Sequence, residues 1–155
     1  MTLFRKRLTV AILVLLTLTV VIFILFNSSL NGEQSSSQSG FFTNLAKSLL
    51  SLIGIRPQEE DLSHFIRKAA HFTEYFAFGA LCCLLVKCTR LKRLAHLAPI
   101  PAFVLAVCDE FIVQGATEGR SPQWTDVLID TSGALTAVLF IAFIAFLRAE
   151  KEKRK

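Results

Sequence analysis

The segment spanning residues 67–75 concentrates ionisable side chains at the start of an apolar run. At helical spacing, Arg67, His71 and Glu74 share one face, and Lys68 lies one turn from His71. Each ionisable side chain inside a membrane helix costs about 2.5–3.5 kcal/mol on insertion scales, so such residues usually face protein or water. Lys68 offers a charge for a phosphate group, and His71 with Glu74 offers a base and a carboxylate to orient it.

Two other segments contain groups that can pair with these side chains. Asp109, Glu110 and Gln114 lie within a later apolar run, and the segment from Arg120 to Asp130 follows it. With His71 neutral, five carboxylates face three cations (Arg67, Lys68 and Arg120), which leaves a surplus of two negative charges. A protonated carboxyl, a protonated His71, a cationic ligand or a divalent cation would balance it. For a metal, the candidate ligands are Asp109, Glu110, Asp126 and Asp130.

The composition predicts an integral membrane protein with one all-α domain. Of 155 residues, 53% are hydrophobic, and the mean hydropathy of +0.54 is too high for an ordinary soluble domain of this size. The net charge of +5 comes from basic residues placed as membrane topology requires, so nucleic acid is not an expected partner. The four cysteines form no CxxC pair and are expected to be free.

Hydropathy predicts a polytopic protein with four transmembrane helices and one short amphipathic helix at the membrane interface. The transmembrane helices are expected near residues 8–26, 64–86, 94–114 and 124–147, and the interfacial helix at 41–53. The first apolar run is longer than the core of a usual signal peptide, which favours a retained anchor over a cleaved signal. The polar composition of residues 27–40 predicts a flexible outer linker, and Ser63 is the expected N-cap of the second helix. Residues 148–155 are expected to form a charged cytoplasmic tail.

The distribution of basic residues predicts the orientation. Twelve Lys and Arg residues fall on one side of the predicted spans and five on the other, so both termini are expected in the cytoplasm. The polar cluster then faces the outer leaflet. Threonines are the only polar residues in the first apolar run, so the first helix is expected to be peripheral. Small residues should let the other three helices pack closely, namely Gly79, Gly133, Ala134 and Ala137.

The motifs over residues 67–137 resemble the VanZ-like family of small bacterial membrane proteins, named for a teicoplanin-resistance protein. The matching residues fall in four motifs in the same order: Lys68, His71, Glu74 and Tyr75; Asp109, Glu110 and Gln114; Arg120; and Asp126, Asp130 and Gly133. Ala137 stands where the family often has a second glycine. The resemblance implies a multi-pass protein of the bacterial cytoplasmic membrane, associated with reduced susceptibility to lipoglycopeptides that bind lipid-linked cell-wall precursors. It implies no particular reaction.

Three classes of function remain open. The protein could bind or transport an envelope lipid or a lipid-linked precursor through its headgroup, or it could be an intramembrane enzyme acting on a lipid-linked phosphate. In the third class, the charges form a scaffold that holds helices in register. The predicted ligand-binding or functional cluster contains Arg67, Lys68, His71, Glu74, Tyr75, Asp109, Glu110, Gln114, Arg120, Asp126 and Asp130.

Overall fold

The computed structural model describes residues 3–154, and five α-helices account for most of that range. They are α1 (Leu3–Ser29), α2 (Gly32–Leu52), α3 (Glu59–Lys87), α4 (Pro99–Cys108) and α5 (Trp124–Lys153). Four segments in this range are long and apolar enough to cross a membrane, namely α1, α3, the segment Lys92–Ala116 that contains α4, and α5. The predicted all-α fold with four membrane helices is therefore confirmed. The orientation in the membrane stays a prediction.

The helices α3 and α5 pack closely because small residues line their interface. A Cβ atom built on Gly79 would lie 2.6 Å from the Cα atom of Ala134, which is closer than real side chains approach. A Cβ atom on Gly133 would overlap the backbone carbonyl of Phe72. Ala134 and Ala137 are fully buried. The predicted role of these small residues in close helix packing is confirmed.

The third membrane segment is irregular where the sequence predicts one continuous helix. A 3₁₀ helix, Lys92–Leu97, precedes α4, which begins at Pro99 because proline needs no hydrogen-bond acceptor at the first helical position. After Cys108 the backbone widens into a π-helical turn, Asp109–Val113, and then tightens into a 3₁₀ turn, Gln114–Ala116. Such π turns often occur at functional sites, and this one carries two buried carboxylates.

The predicted flexible linker at residues 27–40 is wrong. Residues 27–29 complete α1, and Gly32–Leu52 is one helix that includes the predicted interfacial segment 41–53 except Ile53. A reciprocal cap explains its start: the Asn31 side chain accepts a hydrogen bond from the Gln34 N–H, and the Gln34 side chain accepts one from the Asn31 N–H. Sequence composition did not reveal this cap. An ion pair of 2.7 Å between Lys47 and Glu59 links α2 to α3.

Two helix ends also differ from the sequence prediction. Gln58, not Ser63, is the N-cap of α3, so the acidic residues 59–61 form its first turn, where the helix dipole favours negative charge. The predicted charged tail is helical as far as Lys153, which is consistent with its helix-forming composition and with the Lys153–Glu150 ion pair. The four cysteines are free, as predicted.

The last turns of α1 belong to the core, which corrects the prediction that this helix is peripheral. Most of α1 is exposed along its membrane segment. Ile24, however, is fully buried in a cluster that includes Tyr75 of α3, Ala102 of α4 and Val127 of α5. The C-terminal end of α1 therefore packs against the other three membrane segments. This contact brings the polar residues that follow Ile24 into the candidate site.

Candidate functional site

The predicted polar residues gather at one end of the bundle, where α1 ends and α5 begins. Five parts of the chain contribute: the end of α1, the middle of α3, the π turn, the loop that contains Arg120, and the first two turns of α5. Asp109 and Asp130 are 0% and 1% exposed, although both are acidic. Because a buried carboxylate without partners is costly, the contacts of each group indicate its role.

The outermost contact is an ion pair between α3 and α5. Lys68 Nζ donates to Asp126 Oδ1 at 2.5 Å, and both side chains are partly exposed. One turn further along each helix, His71 Nδ1 lies 4.0 Å from Asp130 Oδ1, too far for a hydrogen bond. Glu74, the predicted orienter of His71, instead accepts a hydrogen bond from Asn27 of α1. The carboxylate nearest His71 is therefore that of Asp130.

Glu110 has hydrogen-bond donors for both of its carboxylate oxygens. Gln114 Nε2 donates to Oε2 at 2.6 Å, and the backbone N–H of Gln123 donates to Oε1 at 2.8 Å. The π turn and the start of α5 are thereby joined through this side chain. Gln114 Nε2 also lies 3.4 Å from Asp109 Oδ2. Glu110 is thus a satisfied structural carboxylate.

Arg120 connects the loop before α5 to the rest of the cluster through uncharged acceptors. Its Nη1 donates to Gln114 Oε1 at 2.7 Å, and its Nη2 donates to the carbonyl of Asn27 at 3.4 Å. Burial lowers the pKa of the Arg120 guanidinium, as does the nearby charge of Arg67, although arginine stays protonated in proteins. Within residues 3–154, neither arginine forms an ion pair with a carboxylate.

Two residues at the end of α1 belong to the site, although the sequence analysis assigned both of them to a flexible linker. Asn27 Nδ2 donates to Glu74 Oε1 at 2.8 Å, and Ser28 Oγ donates to Asp109 Oδ2 at 2.8 Å. Ser28 is fully buried. The sequence feature that could have identified them is Asn-Ser-Ser directly after the first apolar run. That end of the run is predicted to lie at the same membrane depth as the polar cluster.

Several buried polar atoms of the cluster have no hydrogen-bond partner in the part of the chain that the structure describes. They belong to seven residues, six of them ionisable at the site itself and one a tyrosine in the core: Arg67 Nε, His71 Nδ1, Glu74 Oε2, Tyr75 Oη, Asp109 Oδ1, Arg120 Nε and Asp130 Oδ1. Buried polar groups in proteins are normally satisfied. Their concentration here distinguishes the cluster from a set of saturated structural pairs.

A polar cavity of about 190 Å³ opens onto the cluster. Its walls include all three cations of the site as well as His71, Gln114, Asp126 and Asp130. Asp109 and Glu110 form no part of the wall, but Gln114 contacts both from its position in the wall. The predicted site residues thus form a lining layer and a buried layer behind it.

An apolar groove along α1, α2 and α3 lies beside the polar cavity. A second cavity of about 430 Å³ shares Arg67, His71 and Arg120 with the first and adds Glu74 and apolar residues. A third of about 820 Å³ shares Phe23, Phe42, Ile66, Ala70 and Glu74 with the second, and its other residues are mostly apolar. The lining therefore changes from charged to apolar along a path of three adjoining cavities.

The residues that could hold a metal ion differ from the predicted set. One ligand atom from each of His71, Asp109 and Asp130 lies within 4.8 Å of those of the other two. Glu110 and Asp126, which the sequence analysis included, are engaged by Gln114 with Gln123 and by Lys68 respectively. Of the four carboxylates predicted as metal ligands, Asp109 and Asp130 belong to this group together with His71, and Glu110 and Asp126 do not.

Comparison with known proteins gives one informative result. The family model described as VanZ/LLP1 matches residues 13–146, which include most of α1 and α5, the two membrane segments between them and the whole polar cluster. No curated protein and no solved structure matches the chain. The match extends well beyond the motif region at residues 67–137 and includes Asn27 and Ser28 at the end of α1.

Proposed function

The chain belongs to the VanZ/LLP1 family, and from this premise we propose that it binds an anionic envelope lipid or a lipid-linked cell-wall precursor. The phosphate-bearing headgroup would occupy the polar cavity, and the apolar chain would lie in the groove along α1, α2 and α3. The observation that carries this proposal is that a cation-lined cavity and an apolar groove adjoin through a second cavity that shares wall residues with both. An amphiphilic ligand matches both parts of that path.

The ion pairing of the three cations supports binding of an anionic headgroup. Lys68 is already paired with Asp126, whereas Arg67 and Arg120 form no ion pair in residues 3–154 and both line the first two cavities. Guanidinium groups suit phosphate because two parallel N–H donors match two phosphate oxygens. If the cluster served only to hold helices in register, its arginines would be expected to pair with its carboxylates.

The groove accounts for the apolar part of the ligand. Its wall is formed mainly by aliphatic, aromatic and alanine side chains of three helices, among them Leu45, Phe42 and Ala70. Extended acyl or prenyl chains bind to such surfaces through burial of apolar area, at roughly 25 cal/mol per Å² removed from water. The predicted position at the outer leaflet would place the headgroup at the level of lipid phosphates. Binding there would also be consistent with the association with lipoglycopeptide susceptibility.

The headgroup proposal predicts that Arg67→Gln and Arg120→Lys each weaken binding of anionic lipid about tenfold or more, since a charge-assisted hydrogen bond contributes about 1.5–3 kcal/mol. Arg120→Lys keeps the charge but loses the planar fork. The measurement is binding of fluorescent polyprenyl monophosphate and phosphatidylglycerol to the purified protein in nanodiscs, with uncharged diacylglycerol for comparison.

The matched control for this experiment is Lys47→Gln, which removes an exposed cation on α2 outside the polar cavity. Equal affinity of wild type, Arg67→Gln and Arg120→Lys for both anionic lipids would contradict the proposal. Mass spectrometry of the recovered lipid tests the enzyme alternative in the same samples, because conversion of the phosphate headgroup would show catalysis.

The groove makes a separate prediction for Ala70→Trp. Ala70 is exposed and lines the two apolar parts of the path, so a large side chain there should fill the groove without disturbing the core. We expect weaker binding of long-chain polyprenyl phosphate and unchanged binding of a short-chain dialkyl phosphate, measured by competition. Ala142→Trp on an exposed face of α5 is the control. An equal loss of affinity for the long-chain and short-chain ligands would contradict this, because it would show that the substitution disturbs the headgroup cavity.

A further inference from the structure

We propose that His71, Asp109 and Asp130 bind one divalent transition-metal ion at the inner wall of the polar cavity. The three residues come from different elements: α3, the π turn and α5. One candidate ligand atom from each lies within 4.8 Å of the other two. Bond lengths of about 2.0–2.2 Å to one metal would bring these atoms closer together than they are in the structure.

The hydrogen bonding of these residues sets them apart from the other carboxylates of the cluster. Asp109 and Asp130 are almost completely buried, and one oxygen of each, together with His71 Nδ1, has no partner in residues 3–154. Glu110 is equally buried, yet donors occupy both of its oxygens. These three residues, each with an unpartnered buried atom, are therefore the same three whose candidate ligand atoms lie close together.

The charges of the cluster fit a divalent ion. Once the Lys68–Asp126 pair is set aside, four carboxylates remain against Arg67 and Arg120, a surplus of two negative charges. The four are Glu74, Asp109, Glu110 and Asp130. Uncompensated buried charge costs several kcal/mol per ion. One divalent cation would neutralise the group without protonating any carboxylate.

The surroundings of Asp109 resemble those of metal ligands in other proteins. Ser28 Oγ donates to Asp109 Oδ2 at 2.8 Å, and Gln114 Nε2 lies 3.4 Å from the same oxygen, which leaves Oδ1 for a metal. Such outer contacts orient ligands and are a regular part of metal sites. The end of α1 would then contribute to metal binding through Ser28.

The ligand types select the class of metal. An imidazole nitrogen with two carboxylates suits Zn²⁺, Mn²⁺ or Fe²⁺, whereas Mg²⁺ prefers oxygen ligands and water. Three protein ligands leave at least one coordination position open. Since His71 and Asp130 line the polar cavity, that position would face the proposed headgroup. A phosphate oxygen could then complete the coordination, so this inference complements the proposed function without depending on it.

The test is metal content and affinity of the purified full-length protein in detergent. After equilibration with Zn²⁺ or Mn²⁺ and gel filtration, we expect elemental mass spectrometry to detect about one bound ion per chain. Mg²⁺ should be retained more weakly. Asp109→Asn and Asp130→Asn should each lower the affinity by roughly 100-fold or more, since outer-shell changes alone cost 10–100-fold. The control is Glu118→Gln, which removes an exposed carboxylate in the loop before α5, outside the polar cavity, and should retain the metal.

Substitution with Co²⁺ provides a readout that loss of folding would not imitate. His71→Gln should change the visible absorption of the bound Co²⁺ at unchanged helical circular dichroism, because a nitrogen ligand is replaced. The inference is overturned if wild type retains no more ion than the Asp109→Asn and Asp130→Asn variants, or if Glu118→Gln loses as much metal as they do. Lipid binding that persists in EDTA alongside a metal-free wild type would reject the metal and leave the proposed function standing. Metal retention without lipid binding would support the metal site and reject the proposed function.

Discussion

Replacement of Gly133 by alanine is expected to destabilise the bundle, although alanine is the better helix former. The added Cβ atom would overlap the backbone carbonyl of Phe72, which belongs to the helix that carries His71 and Glu74. Backbone atoms cannot rotate away, so α5 would have to separate from α3 along their shared interface. Overpacking of this kind costs about 1–3 kcal/mol and occasionally more. That is a large part of the stability of a small domain.

The control for Gly133→Ala is Gly40→Ala in α2. No atom lies within 4 Å of a Cβ built on Gly40, so the same substitution should stabilise that helix by up to about 1 kcal/mol through its propensity alone. Thermal unfolding of both variants in one detergent measures the contrast. A shift to higher unfolding temperature for both would show that α3 and α5 are not in backbone contact at this position.

The double variant Asn27→Leu/Ser28→Ala is expected to uncouple α1 from the site. It removes the Asn27 donor to Glu74 Oε1 and the Ser28 donor to Asp109 Oδ2. Asp109 is fully buried and Glu74 is partly buried. An orphaned buried acceptor costs about 1–3 kcal/mol, and more when it is charged. Because Asp109 is also a proposed metal ligand, the affinity for Zn²⁺ should fall together with the stability.

The measurements for the double variant are the unfolding temperature and the Zn²⁺ content. Ser29→Ala is the matched control, since the Ser29 hydroxyl donates to the carbonyl of Phe26 within its own helix and is exposed. It removes a serine one residue away without touching a carboxylate. Wild-type stability of Asn27→Leu/Ser28→Ala would show that α1 is peripheral after all, as its sequence alone suggested.

The sequence by itself determined the number of membrane helices and which of them pack closely. Four apolar runs predicted four membrane helices, and the small residues at Gly79, Gly133 and Ala134 predicted which helices pack closely. Both are local properties: whether a segment enters the membrane depends on its own composition, and a missing side chain is visible in the sequence. The motif residues also indicated the family, which the match over residues 13–146 confirms.

Only the tertiary structure decided how the polar residues of the cluster divide into pairs and free ligands. Asp109 and Glu110 are neighbours in sequence, yet one converges with His71 and Asp130 while the other is saturated by Gln114 and Gln123. That difference depends on the π turn and on the depth at which α1 ends. Partners such as Ser28, 81 residues from Asp109, are set by the relative height and rotation of separate helices. No local pattern encodes those quantities, because they follow from the packing of all the membrane segments together.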